Sequence, residues 1–334
     1  MEKYMLNSKK LLTLALLFAV LLAAASLTSQ LIFAPSGNSI GLGIYASVGS
    51  YADATADKAG SAKISYTVCA LLVDKDNRVL DIEIDALDAT ASFTSEGKVV
   101  AGSELMTKGE KGNAYGMSNI GKTEWYLQCD AFEQKVIGKS AQEIAALVTD
   151  SGKGTDEIIE AGCTITVTDF VKAINEAFSN LKASDADGED EIRLGIVATQ
   201  SAGDSKDASS EGDGKVQVAL TATAATVSGE RITAATIDAI NTDVKFTLAG
   251  SPVKNEPSKS KRALGDDYNM KKYGNARLEW YEQADVFANE LVGLGKDGIP
   301  SLISNTGKGN DEIISAGCTI YVSDFVKSAN KLFK

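Results

Sequence analysis

The chain repeats itself, and this repetition limits its fold more than any other feature. The stretch from Glu124 to Phe132 (EWYLQCDAF) is answered by Glu279 to Phe287 (EWYEQADVF). Asp156 to Ile165 (DEIIEAGCTI) is answered by Asp311 to Ile320 (DEIISAGCTI), and Gly41 to Ala46 (GLGIYA) by Arg193 to Ala198 (RLGIVA). Trp125 to Trp280 and Cys163 to Cys318 share one offset, 155 residues, so the later parts of the two units align without a gap. A period this long exceeds any solenoid repeat, so each unit is expected to be a whole domain. A chain of 334 residues suits two domains of ordinary size. The boundaries read as an N-terminal segment 1–35, a first domain 36–182, a small acidic linker 183–191 and a second domain 192–334.

Within the first unit, Lys63 to Val73 is rich in β-formers, Asp74 to Asn77 is a turn, and Arg78 to Asp85 alternates apolar with polar. This predicts an antiparallel hairpin with one wet face. Trp125, Cys129, Phe132 and Val136 recur at helical spacing before Gly138, which predicts a helix over Lys122 to Ile137. Further helices are expected over Ala141 to Val148 and Asp169 to Leu181, the latter with Thr168 as N-cap, matched by Ser323. Strands first and helices later indicate α+β domains, each a twisted antiparallel sheet packed with helices. Both units also carry a long polar loop, Ser201 to Gly214 in the second.

Lys3, Lys9 and Lys10 precede an apolar run from Leu11 to Ala25, and a second apolar patch runs from Leu31 to Ala34. Positive charge followed by an apolar stretch is an export signal, cut near Ala23–Ala25 or retained as a membrane anchor. Either way the body is expected outside the cytoplasm. Its net charge of -12 disfavours nucleic acid as a partner. There is no histidine, which removes histidine-based nucleophilic catalysis and the usual zinc and iron sites. The four cysteines, Cys69, Cys129, Cys163 and Cys318, show no CxxC spacing. No pair of carboxylates reads as an acid/base couple, so a stand-alone enzyme is not expected.

The most distinctive candidate site is Ala161–Gly162–Cys163–Thr164, with its twin Ala316–Gly317–Cys318–Thr319, each ahead of a helix. A small, glycine-containing turn there lets backbone N–H groups approach an anion, and a threonine hydroxyl adds a donor. Lys108 and Lys261, in matched loops, offer cations to the same anion, although an exposed lysine is the plainer reading. Trp125 and Trp280 read as core residues, with stacking on a flavin ring the alternative. Cys163 and Cys318 read as small buried hydrophobes, with a disulfide or a redox thiol the alternative.

These segments resemble the Ser/Thr-Gly-Ala-Thr-x-Thr/Ser signature of FMN-binding domains in extracytoplasmic flavin carriers. The resemblance implies FMN held at Gly162, Cys163 and Thr164, and again at Gly317, Cys318 and Thr319. Thr164 and Thr319 fall where the family attaches FMN by a phosphoester. Thr107 to Gly112 loosely resembles the family's Glu-Thr-Pro-Gly loop, with Ser260 to Gly265 its degraded equivalent, and these two loops carry Lys108 and Lys261. Ala161 and Ala316 stand where the signature has Ser/Thr, and Ile158 and Ile313 where the family has Asp. What the resemblance implies is a tandem FMN-binding-like protein of the cell envelope, possessing an electron-carrier role and an unspecified redox or envelope partner. The ligand is flavin or another small phosphate-bearing molecule. The alternative is a cofactor-free structural or interaction module.

Overall fold

Three long strands open each half. Ser39–Ala52 (β1), Gly60–Val73 (β2) and Val79–Phe93 (β3) pair antiparallel in order. Glu191–Gln200 (β6), Gly214–Ser228 (β7) and Arg231–Phe246 (β8) do so in the second half. Two-residue strands extend both sheets: Glu104–Leu105 (β4) on β6, Lys182–Ala183 (β5) on β1, and Pro252–Val253 (β9) on β8. The sheet orders are β3-β2-β1-β5 and β4-β6-β7-β8-β9. Because β4 comes from the first half, the halves exchange backbone hydrogen bonds. The computed structural model describes residues 37–200, 203–257 and 259–333. The N-terminal segment 1–35, read as signal or anchor, lies outside them. No helix among the described residues is long and apolar enough to cross a membrane.

The helices follow the strands, giving an α+β architecture. The first half has Lys108–Lys111 (α1), Trp125–Val136 (α2), Ala141–Ala145 (α3), Asp156–Glu160 (α4) and Thr168–Ser179 (α5). The second has Lys261–Leu264 (α6), Met270–Tyr273 (α7), Trp280–Leu291 (α8), Asp311–Ala316 (α9) and Ser323–Asn330 (α10). The apolar stripe Trp125, Cys129, Phe132 and Val136 is buried as its spacing predicts. Thr168 and Ser323 are the first residues of α5 and α10 rather than their caps. Their hydroxyls turn back to the carbonyls of Gly152 (3.2 Å) and Gly307 (3.4 Å).

The wet face expected for the first hairpin does not exist. Cys69, Leu71 and Val73 of β2 face the helices, while Val68, Ala70 and Leu72 join a second core. That second core is shared, with Ile192, Leu194, Val216, Val218 and Leu220 of the other half packed into it. The two sheets therefore lie face to face, with helices on the outer face of each. Phe93 and Phe246 stack across the junction at 4.5 Å between ring centroids. The Tyr66 hydroxyl donates to the Val218 carbonyl. Residues 183–191, read as a linker, include buried Ala186 and Asp190.

The outer helices approach the sheets very closely. Gly43 lies against the backbone of Ala173 in α5, and Gly195 against the Ser328 carbonyl of α10. A Cβ at either position would overlap those atoms, so β1 and β6 need glycine there. Gly49, further along β1, has open space around it. Gly195→Ala is expected to lower the unfolding free energy in urea by about 1–3 kcal/mol, the usual range for overpacking, whereas Gly49→Ala should leave it nearly unchanged.

Candidate functional site

The duplicated motif around each tryptophan turns out to be a set of ties. Glu124 is buried, and its carboxylate accepts the backbone N–H groups of Met117 (3.1 Å) and Ser118 (2.9 Å). Trp125 is 5 % exposed and meets Phe170 edge to face at 5.8 Å. Gln128 is fully buried and its Oε1 accepts both the N–H (2.8 Å) and the hydroxyl (2.9 Å) of Thr164. The second half repeats each tie: Glu279 accepts from Met270 and Lys271, Trp280 meets Phe325, and Gln283 accepts from Thr319. Sequence reasoning missed the two glutamines. Their signal is a polar residue recurring at a helix position, between Trp and Phe, that spacing assigns to the core.

The glycine turns do not cradle an anion with their backbone. Gly162 has φ +111° and Gly317 φ +119°, and each closes the short helix before it. The N–H groups of Gly162 and Cys163 donate back to the carbonyls of Ile159 and Ile158. Gly317 and Cys318 do the same toward Ile314 and Ile313. This is the Schellman arrangement of a helix C-terminus, where the dipole disfavours anions. With the Thr164 and Thr319 N–H groups held by glutamine, no donor of these turns is left for a phosphate. Cys163 and Cys318 point into the helical cores, fully buried, and burial pushes each thiol up to about 11. All four cysteines are free and buried, so none forms a disulfide and none is poised as a redox thiolate.

The side chains give a different result. Lys108 and Thr164, drawn from separate stretches of sequence, line one cleft of about 460 Å³ over β2 and β3. Lys63, Lys122, Lys153 and Trp125 complete much of its wall. Lys108 starts α1, whose N-cap Thr107 exchanges bonds with Glu110 as a capping box. Its ammonium lies 5.5 Å from the Tyr115 ring centroid and 5.6 Å from that of Trp125. Asp88 pairs with both Lys63 (3.1 Å) and Lys108 (3.7 Å). Burial pushes Asp88 upward, but Lys108, Ser65 and Lys63 outweigh it and hold the carboxyl below its ordinary value. Lys122 and Lys153 are exposed and make no ion pair among the described residues. In an acidic protein this is a concentrated basic wall.

Lys261 occupies the matching place in the second half, 5.1 Å from the Trp280 ring centroid and 5.5 Å from that of Tyr268. Thr319, like Thr164, is exposed beside its glutamine.

A second groove, of about 610 Å³, runs between the halves and is acidic. Asp81 accepts the Ile192 N–H (2.8 Å) and Glu83 the Leu194 N–H (2.6 Å), so β3 side chains satisfy the edge of β6. Glu133 accepts the Ile84 N–H (2.6 Å) beside them. Burial, reinforced by the neighbouring carboxylates, pushes Glu83 and Glu133 each up to about 8. Among the described residues no group of these side chains suits a metal ion.

The chain matches no family model, no curated protein and no solved structure.

The raised carboxyls set a direction for stability against pH. Below about pH 4.5 both folded and unfolded chains carry these protons, and above it the unfolded chain loses them first. Their contribution is therefore complete in acid and declines until about pH 8. Between pH 5 and pH 8.5 the urea unfolding free energy should fall, and Glu83→Gln, which keeps an acceptor for Leu194, should reduce that fall by roughly 3–4 kcal/mol, at about 1.4 kcal/mol per pKa unit.

Proposed function

We propose that the chain is an exported binding protein whose first half holds a phosphate-bearing cofactor of the FMN type in the cleft beside Lys108 and Thr164. We read the two halves as copies of one ancestral unit, delivered by the N-terminal segment to the outer face of the membrane or beyond it. The observation that supports the ligand most is convergence. Lys108 and Thr164, singled out from unrelated parts of the sequence, line the same cleft with three further lysines. Its volume lies in the range of small-molecule sites, about 300–1,000 Å³.

The residues present fit such a group at its phosphate end. Lys108, Lys122 and Lys153 supply charge, while Thr164 stands exposed at the rim with its hydroxyl held by Gln128. Tyr115, Met117 and Trp125 add apolar surface to its lining. The reading is non-covalent, because a phosphoester on Thr164 would forfeit the hydroxyl's bond to Gln128. Bound FMN would supply one-electron or two-electron chemistry, giving the protein its carrier role. The chain's own residues bind and orient; none is placed to move a proton.

The burial of Trp125 favours a second reading, a phosphate-bearing ligand without a flavin ring, since the indole face is not free for stacking. Titration of FMN, riboflavin and inorganic phosphate into the full-length protein separates the two. The flavin reading expects saturable quenching of FMN fluorescence, weaker for riboflavin, and weakened about tenfold by Lys108→Gln, the worth of about one charge-assisted hydrogen bond. FMN that stays unquenched while inorganic phosphate binds would leave the second reading standing, and no binding of either would refute both.

A further inference from the structure

The two matched lysines are not equally neutralised. In the first half Lys108 has its counter-ion in Asp88. Asp85 and Asp238 both accept from the short helix beside their lysine, at Gly109 (2.9 Å) and Arg262 (2.9 Å), which fixes the correspondence of β3 with β8. Asp88 then corresponds to Asn241, so the second half has an amide where the first has a carboxylate. Lys261 makes no ion pair and no hydrogen bond among the described residues; its contacts are the rings of Tyr268 and Trp280. It is half-buried, and a lysine withdrawn from water is ordinarily paired.

From this ammonium without an ion pair, close to two aromatic rings, and from Asn241 at the position of Asp88, we infer that the second half is a separate site for a ring-bearing anion whose carboxylate or phosphate pairs with Lys261 as Asp88 pairs with Lys108. The surroundings agree. Burial pulls the Lys261 ammonium below the ordinary lysine range, although the charges of Asp238, Asp324 and Asp204 oppose this. An external anion would restore the balance that Asp88 provides in the first half. Tyr321 stands where the first half has Thr166, is 72 % exposed, and carries Lys308 5.8 Å from its ring centroid. Thr166 and Lys153 line the first cleft, and Tyr321 and Lys308 hold the corresponding positions in the second half, an exposed ring and a second cation. This inference stands whether or not the first cleft takes FMN.

The test uses the full-length protein carrying Lys108→Gln, which weakens the first cleft, and reads the effect of changes in the second half alone. Phenyl phosphate, benzoate and inorganic phosphate are titrated by calorimetry. Saturable binding of phenyl phosphate or benzoate is expected, tighter than that of inorganic phosphate, and the preferred probe identifies the group recognised. Adding Lys261→Gln should weaken binding at least tenfold. Adding Asn241→Asp, which supplies the internal carboxylate and leaves the lysine in place, should weaken it comparably with no loss of thermal stability. Affinity within twofold of the parent in both variants, or no saturation by either aromatic probe at millimolar concentration, would overturn the inference. Because Lys108 is absent throughout, failure here is distinct from failure of the FMN reading.

Discussion

The face-to-face contact of the two sheets is the interaction on which the remaining structure depends. The central strand β2 is apolar on both faces, and helices cover only one of them. The other face finds cover in β6, β7 and β8, which are lined with small and branched apolar residues in the same way. Burial of this kind contributes roughly 25 cal/mol per Å² of apolar surface, and neither half supplies a substitute for the other. Polar ties then fix the alignment. Asp81 and Glu83 hold the edge of β6, Tyr66 reaches Val218, and β4 crosses into the second sheet. With the inner faces closed, the helices and the cleft beside Lys108 are left on the outer surfaces.

The strongest repeats in the sequence are scaffolding, and the side chains around the two matched lysines differ. Glu124, Trp125 and Gln128 and their counterparts Glu279, Trp280 and Gln283 hold the same loops in the same way. The cleft walls differ instead, with Asn241 at the position of Asp88 and Tyr321 at that of Thr166. Buried hydrogen-bonding groups are expensive to leave unpaired, so the ties resist change. Residues at the rim carry no such penalty and are free to suit different ligands.

How much of this the sequence disclosed follows the same division. The helix over Trp125 to Val136 was legible because four apolar residues share one face, and the early hairpin because of its β-rich runs and the Asp74 to Asn77 turn. The covered inner face was not. Asp81, Glu83 and Asp85 alternate with apolar residues and imitate a solvent face, yet two of them accept backbone donors from the other half. The unbroken run Val68 to Val73 was the better signal of a strand buried on both sides. The glycine turns were misread for a related reason. Glycine just past a short helix marks its C-terminus, and the short helices Asp156–Glu160 and Asp311–Ala316 were there to be closed. Lys108 and Thr164 lie far apart in sequence, and the fold rather than the turn brings them into one cleft.

The central claim, that two repeated halves make one cooperative body through their shared core, has a direct test because each half carries one tryptophan. Trp125→Phe and Trp280→Phe variants leave a single reporter in one half or the other. Urea unfolding followed by fluorescence should give the same midpoint as circular dichroism in each variant, as a single two-state transition requires. Fluorescence transitions that precede or trail the circular dichroism, with Trp125 and Trp280 reporting different steps, would contradict the account and show halves that unfold independently.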